Sequence, residues 1–364
     1  MKRAFIFGEF IPKSTTGIAY VNTNLESVLK ELNFFVETLD DPRSNDYFKY
    51  KNFVKKNLNI IKFFKLILFL VFAKKYNISF LTISMGNLGL LKSLLIIILL
   101  KFKTKDLYLY VHRGDLDLNF KNSLYKRYLI KLNLNYSTKI ILLSKLFSLD
   151  ESLKIFQKKI IIIPNSLSKE DSFTSDDFFK KRYKIFENKY QQEIIRFIYS
   201  GNLQSAKGIH EIIKAIKLIN KKKFNIKVQL DIYGMKFEEI DLKACNIFYK
   251  GKLKHSDRLT IMSKYDFLIS ASKTEGLPIT LIECMAIGLP FITTNVGAIN
   301  DLLINNYPYI INSQNLNIIE VICSALYDHT KNKTKVKSLI LANRKLFIKK
   351  FQYSHFLNNM KQNL

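Results

Sequence analysis

Two glutamates eight positions apart, Glu275 and Glu283, stand in "EGLPITLIECMAIGLP" (275–290), a stretch otherwise almost wholly apolar. A Gly-x-Pro turn follows the first, and a Gly-x-Pro stop follows the second. "DFLIS" (266–270) reads as a strand and "ASKTEG" as the loop after it. Pro278 suits a first helical turn, where its missing N–H costs nothing. Gly288, with Pro290 beyond it, suits a left-handed helix stop. Glu275 then lies in the loop at the helix mouth. Glu283 lies more than one turn inside, on a face shared with Thr280 and Ile287. The free N–H groups of the 276–279 helix start, with the positive end of the dipole, form an anion site suited to a phosphate. Glu275 beside it suits sugar hydroxyls and Glu283 suits a ribose, so an activated sugar nucleotide has its three parts in this order. The bland alternative makes Glu275 a dipole-favouring residue and Glu283 a solvated one. It fits poorly, because Glu283 interrupts an apolar helix face and a carboxylate there needs a partner.

These residues need a frame that brings strand ends together. Strands are expected at 3–8, 34–39, 78–84, 107–112, 139–144 and 159–165, with helices such as 17–32 and 122–134 between them. Residues 165–193 are polar and charge-mixed without a sustained apolar period, and are expected to be a linker. The alternation restarts with strands at 196–201, 228–234, 247–251, 266–270 and 291–294, and with helices from Lys207, near 256–264 and from Pro278. Nearly all-apolar strands spaced by helices indicate parallel sheets covered on both faces. Two such series indicate two doubly wound α/β domains, which bind ligands at the carboxyl ends of their strands.

At 364 residues and 48% hydrophobic, the chain suffices for two domains with their own cores. Cys245, Cys284 and Cys323 are scattered singly, which argues against a disulfide framework or zinc site and for a reducing, cytoplasmic setting. The N-terminal "MKRAFIFGEF" reads as a first strand rather than a leader. The apolar runs 66–73 and 94–100 are bounded by lysines and fall short of the roughly 20 residues a spanning helix needs. Fifty-eight Lys+Arg against 30 Asp+Glu give a net charge of +28. That suits nucleic acid, an anionic membrane or phosphorylated substrates, although a Lys-, Asn- and Ile-rich composition also fits drift on solvated faces. No recognition-helix or aromatic RNA-binding motif supports a nucleic-acid partner. The histidines are too scattered for metal-ligand spacing.

The segment 272–301, "SKTEGLPITLIECMAIGLPFITTNVGAIND", resembles the E-x7-E signature of family 4 glycosyltransferases, retaining enzymes of the GT-B fold. It keeps Ser272, Glu275, Gly276, Pro278, Glu283, Met285, Ala286, Gly288, Pro290, Thr294 and Gly297, with Cys284 for the usual Ala and Ala298 for the second Gly. "FIYSGNLQSAKGIHEIIKAI" resembles the family's G-R-L-x-x-x-K-G motif, whose Arg and Lys clamp the diphosphate. Lys207 matches the lysine. Asn202 stands where the arginine would be, which removes a charge and its bidentate fork. "IFYKGKL" resembles the strand beside the nucleotide base and implies Tyr249, Lys250 and Gly251 near it. Gly17, with Thr16 in place of a second glycine, matches the family's loop after the first strand. His112 resembles the active-site histidine, and Arg113 is a candidate for an anionic acceptor, with a surface salt bridge as its alternative role. "DLD" (115–117) imitates a metal-binding D-x-D string, but the resemblance implies loop residues and no metal.

The resemblance therefore implies an α/β chain of GT-B architecture, with two Rossmann-like doubly wound domains facing a cleft. Expected bounds are 1–166 for the acceptor side, 167–345 for the nucleotide-sugar side and 346–364 for a helix returning to the first domain. The implied activity is retaining transfer of a hexose from a nucleotide-diphosphate sugar to a glycan or polyprenyl-diphosphate-linked acceptor, in surface polysaccharide synthesis (O-antigen or capsule). His112 and Glu275 would be catalytic. Gly17, Asn202, Lys207, Tyr249, Gly251, Gly276, Leu277, Pro278, Ile279 and Glu283 would hold the donor and Arg113 the acceptor, with no cofactor. A sugar-nucleotide epimerase or hydrolase of this fold, or a noncatalytic basic membrane-binding protein, are the alternatives. The lysine-bordered stretches 51–76 and 91–105 suggest peripheral attachment to the inner membrane face through anionic lipid. Of the two, 91–105 is expected to be only a buried crossover helix.

Overall fold

The computed structural model describes residues 1–14, 16–41, 66–188, 194–221, 226–242, 246–313 and 317–364. Its contacts divide the chain into two units, Met1–Asn165 with Phe356–Leu364, and Ser166–His355.

In the first unit six parallel strands, β1 (Lys2–Gly8), β2 (Phe34–Asp40), β3 (Tyr76–Thr82), β4 (Thr104–Val111), β5 (Lys139–Leu142) and β6 (Ile160–Ile162), lie in the order β2-β1-β3-β4-β5-β6. Central strands are buried on both faces, as Phe5, Phe80 and Leu109 show, which is why they read as apolar runs rather than alternations. The order reverses between β1 and β3, the point where chains leave the sheet in opposite directions and open a crevice at the strand ends.

The second unit repeats the plan with β7 (Ile194–Ser200), β8 (Lys227–Tyr233), β9 (Ile247–Gly251), β10 (Phe267–Ile269), β11 (Phe291–Thr294) and β12 (Ile310–Ile311) in the order β12-β11-β10-β7-β8-β9. Phe197 and Phe267 stack at 5.3 Å across the β7–β10 pair. Here the reversal falls between β7 and β10, so the loops after these two strands, 201–208 and 270–278, are neighbours. β12 is two residues long, too short to carry a periodic signal, and no strand was expected there.

Two expectations need correction. Much of the supposed linker is a 20-residue helix, Lys169–Asn188. Its inner face runs Ser175, Phe179, Arg182 or Tyr183, Phe186; Ser175, Arg182 and Phe186 are buried, and Phe179 and Tyr183 pack on the Phe186–Val336–Ile340 cluster. A serine and an arginine occupy core positions of the helical period, so counting apolar residues missed it. Segment 91–105 is also not simply a buried crossover helix. Helix Asn87–Lys101 buries Leu90, Leu94, Ile97 and Leu100, yet Leu88, Leu91, Leu95 and Ile98 on the opposite face are exposed, as is Phe102. Of the other stretch, 51–76, residues 51–65 lie outside the described residues. Among the described residues no helix is long and apolar enough to cross a membrane.

Candidate active site

Helix Ile279–Ile287 is apolar but for Thr280 and Glu283, and buries all its residues except Thr280. Pro278 is its N-cap, with ψ 122°, one position before the first turn expected for it; no side chain caps that first turn. Gly288, at φ 68°, forms the left-handed stop, its N–H and that of Leu289 closing on Met285 and Cys284 carbonyls. Two buried arginines hold this C-terminal end. Arg182 donates to the carbonyls of Gly288 (3.1 Å), Ser263 (3.4 Å) and Tyr265, and Arg344 to the Ala286 carbonyl and Ser175 Oγ. Cations at a helix C-terminus oppose the negative end of its dipole.

The loop before the helix is fixed from three sides. Lys273 N–H bonds the Ala206 carbonyl at 3.0 Å, and Thr294 Oγ1 donates to the Ser272 carbonyl at 2.6 Å. Ala298 N–H reaches the Gly276 carbonyl at 3.0 Å. Glycine is required twice here. A Cβ on Gly208 (φ +67°) would meet the Ala271 carbonyl oxygen at 2.1 Å, and one on Gly297 (φ +60°) would meet that of Glu275 at 1.8 Å. The first approach puts loops 201–208 and 270–278 against each other, and the second seats the loop after β11 on Glu275. Lys207 Nζ thereby lies 2.6 Å from Glu275 Oε1, with both side chains partly buried. A cation and a carboxylate thus sit together at the mouth of a helix whose first turn has no side-chain cap.

Glu283 is not the solvated residue of the bland reading. It is 1% exposed, with Oε1 3.2 Å from Arg258 Nη1 and Oε2 lacking a hydrogen-bond partner. Asn202 and Lys207 share the loop after β7, and Tyr199 Oη donates to the Asn202 carbonyl at 2.8 Å. Tyr249 and Gly251 end β9. The Gly251 carbonyl accepts from Gly234 N–H at 2.8 Å, Tyr249 Oη donates to the Gly234 carbonyl at 2.9 Å, and Lys236 Nζ stands 4.4 Å over the Tyr249 ring. The ends of β7, β8 and β9 are thereby joined, with Gly201 N–H on the Tyr233 carbonyl.

The remaining candidates belong to the first unit. Gly17 is the first residue of helix Gly17–Glu31, and Thr16 is its N-cap, accepting from Ala19 N–H at 3.1 Å and donating to Glu9 Oε2 at 2.6 Å. The threonine in the second glycine's place therefore has a capping role. His112 follows β4, buried and stacked on Tyr110 at 4.1 Å, with Nε2 unpartnered. Burial pushes its pKa down to about 3, so at neutral pH it is an uncharged imidazole that can donate or accept a hydrogen bond. Arg113 engages Asp115 side-on at 2.8 and 2.5 Å, the salt bridge named as its alternative role. Asp117 pairs with Lys121 at 2.7 Å and accepts from Ser152 N–H at 3.1 Å. The D-x-D residues are not simply loop residues: Asp115 stands at the N-cap position of helix Leu116–Asn122, without a side-chain capping bond, and Asp117 lies in its first turn. Among the described residues no group of three or more His, Cys, Asp or Glu could hold a metal ion.

Residues 180–335 match the family model "Glycosyl transferases group 1". The fold is that of GT-B glycosyltransferases, two Rossmann-like units, and by this match and the relatives below the chain is a glycosyltransferase. It is 28% identical over 360 residues to an uncharacterized glycosyltransferase of Methanocaldococcus jannaschii, covering 93% of this chain and 91% of that one. Over 163 residues (40% and 43% of the two chains) it is 26% identical to the capsular polysaccharide biosynthesis glycosyltransferase CapM of Staphylococcus aureus. Among solved structures, sucrose-phosphate synthase of Thermosynechococcus elongatus superposes with a TM-score of 0.69 at 14% identity, over 100% and 98% of the chains. HepE of Anabaena in complex with UDP-glucose gives 0.66 at 12% identity, over 99% and 98%.

Sequence reasoning missed Arg258, Arg182 and Arg344. Arg258 carries no motif signal. For the other two, arginines recurring at apolar positions of a helical period were the available sign.

Proposed function

We propose that the chain is a retaining glycosyltransferase that moves a hexose from a nucleotide-diphosphate sugar to a glycan or polyprenyl-diphosphate-linked acceptor of surface polysaccharide synthesis. The observation that carries this reading is the Lys207–Glu275 contact at the mouth of helix Ile279–Ile287. Lys207 and the backbone from Gly276 to Ile279 suit a diphosphate, since cation and helix dipole both favour charge there. Glu275, already ordered by Lys207, suits the hydroxyls of the transferring sugar, and Glu283 the ribose. Neutral His112 suits a hydrogen bond to sugar or acceptor. HepE in complex with UDP-glucose and the capsular relative support donor class and setting. Transfer is expected to need no divalent metal, a reading supported by the pairing of the D-x-D carboxylates with Arg113 and Lys121.

The exposed row Leu88, Leu91, Leu95, Ile98 and Phe102, beside Lys101, Lys103 and Lys105, supports peripheral attachment to an anionic membrane. Salt-sensitive cosedimentation with anionic but not neutral liposomes is expected; binding to neither kind would reject attachment. The main test is a thermal-shift and mass-spectrometric screen with UDP-, GDP- and ADP-sugars, run with and without EDTA. One base is expected to raise the melting temperature and its sugar to be consumed in both conditions. No shift with any donor would overturn the function, and a reaction abolished by EDTA would overturn the metal-free step.

A further inference from the structure

We propose that Arg258 is a positioning residue of the nucleotide site, holding one oxygen of Glu283 so that the other serves the ribose hydroxyls. The proposal rests on the ribose reading of Glu283 given above. Arg258 opens helix Arg258–Met262, a short segment after β9. Its Nη1 lies 3.2 Å from Glu283 Oε1, with the two side chains 12% and 2% exposed. A carboxylate so enclosed needs a counter-charge within reach, and Arg258 supplies it.

The geometry is one-sided. A guanidinium serving only as a structural partner favours the side-on arrangement that meets both carboxylate oxygens, as Arg113 does with Asp115 in the first unit. Arg258 reaches Oε1, while Oε2 is enclosed with no hydrogen-bond partner. An enclosed carboxylate oxygen without a donor calls for a donor that arrives later, and a ribose offers two. Arg258 also follows the strand that ends in Tyr249 and Gly251, the candidate base contacts. One arginine therefore links the base end of the site to the carboxylate on helix Ile279–Ile287. This arginine acts through Glu283 and does not touch the reacting atoms.

The test uses the full chain and whichever of UDP, GDP or ADP binds it most tightly, with the 2′,3′-dideoxy counterpart of that nucleotide. Dissociation constants are measured for wild type, Glu283→Gln, Arg258→Met and Arg258→Lys, with a melting curve for each. Wild type is expected to lose roughly tenfold or more on going to the dideoxy nucleotide, the size of a lost charge-assisted hydrogen bond. Arg258→Met is expected to shrink that ratio to twofold or less by weakening only the ribonucleotide, and Arg258→Lys to restore part of it. An Arg258→Met chain that folds and keeps the full wild-type ratio overturns the proposal, with the ribose reading intact if Glu283→Gln abolishes the ratio. No discrimination in wild type, or none lost in Glu283→Gln, removes the ribose reading and the role of Arg258 with it; a lone water would then complete Oε2. If neither Arg258 variant folds, the arginine is structural and the proposal is overturned.

Discussion

Replacing Gly297 by alanine tests the framework of the site most directly. The glycine has φ +60°, and a Cβ would stand 1.8 Å from the Glu275 carbonyl oxygen and 3.2 Å from that of Gly276. Gly251, at φ +78°, offers a control, because a Cβ there meets nothing within 4 Å. Gly251→Ala therefore carries only the left-handed strain of about 1–2 kcal/mol. Gly297→Ala carries the same strain and must also open the contact with Glu275 by more than 1 Å before any real Cβ fits. The neighbour is backbone, held by Ala298 N–H on Gly276 and leading directly into helix Ile279–Ile287. It has no rotamer with which to yield. Overpacking adds about 1–3 kcal/mol, so Gly297→Ala is expected to cost roughly twice what Gly251→Ala costs. A shift of this size in a loop that positions a reacting group costs on the order of a hundredfold in rate. Urea unfolding compares the two stabilities, and initial rates with the donor found by the screen report the loop. Equal unfolding midpoints for the two variants, with wild-type turnover by Gly297→Ala, would refute the claim that this glycine sets the position of Glu275.

Other consequences are separable. Lys207→Ala should weaken nucleotide diphosphate binding about tenfold or more; calorimetry giving less than a twofold loss would mean the lysine serves only Glu275. Arg182→Met leaves carbonyls of Gly288, Ser263 and Tyr265 without their donor. It should cost about 3 kcal/mol or more by denaturant titration, and a cost below about 1 kcal/mol would mean those carbonyls find other donors. Acid should destabilise the fold through His112. Burial lowers its pKa from 6.5 to about 3, so the unfolded chain binds this proton first and the contribution is lost as pH falls from about 6.5 towards 3. Asp150 works in the opposite sense: burial, aided by Asp117, raises its pKa to about 6, so the cost of its buried charge is relieved as pH falls through that value. The wild-type loss between pH 7 and 5, measured by urea midpoint, should shrink in His112→Asn; an unchanged loss would show that the imidazole titrates normally.

Sequence alone carried the strand count to within one, because β1 to β11 are either apolar runs or edges beside turn residues. It also located helix Ile279–Ile287, whose start and stop are written in Pro278 and Gly288. These are local signals, expressed over a few consecutive residues, and the elements that carry them form much as written. What depended on packing was not legible. Helix Lys169–Asn188 passes for a linker because its inner face spends two positions on Ser175 and Arg182, and only their partners, Arg344 for Ser175 and the Gly288 carbonyl for Arg182, reveal why polar groups belong there. The exposed row on helix Asn87–Lys101 is equally hidden, since a helix apolar all round does not say which side the sheet covers. Lys207 and Glu275 are 68 residues apart, and their contact exists because the strand order reverses between β7 and β10, setting two distant loops side by side. Arg258 is bound to Glu283 by the same kind of long-range placement. A sequence lists the groups that can do chemistry, whereas the pairing of charges across a buried boundary is fixed by the topology that removes both from water.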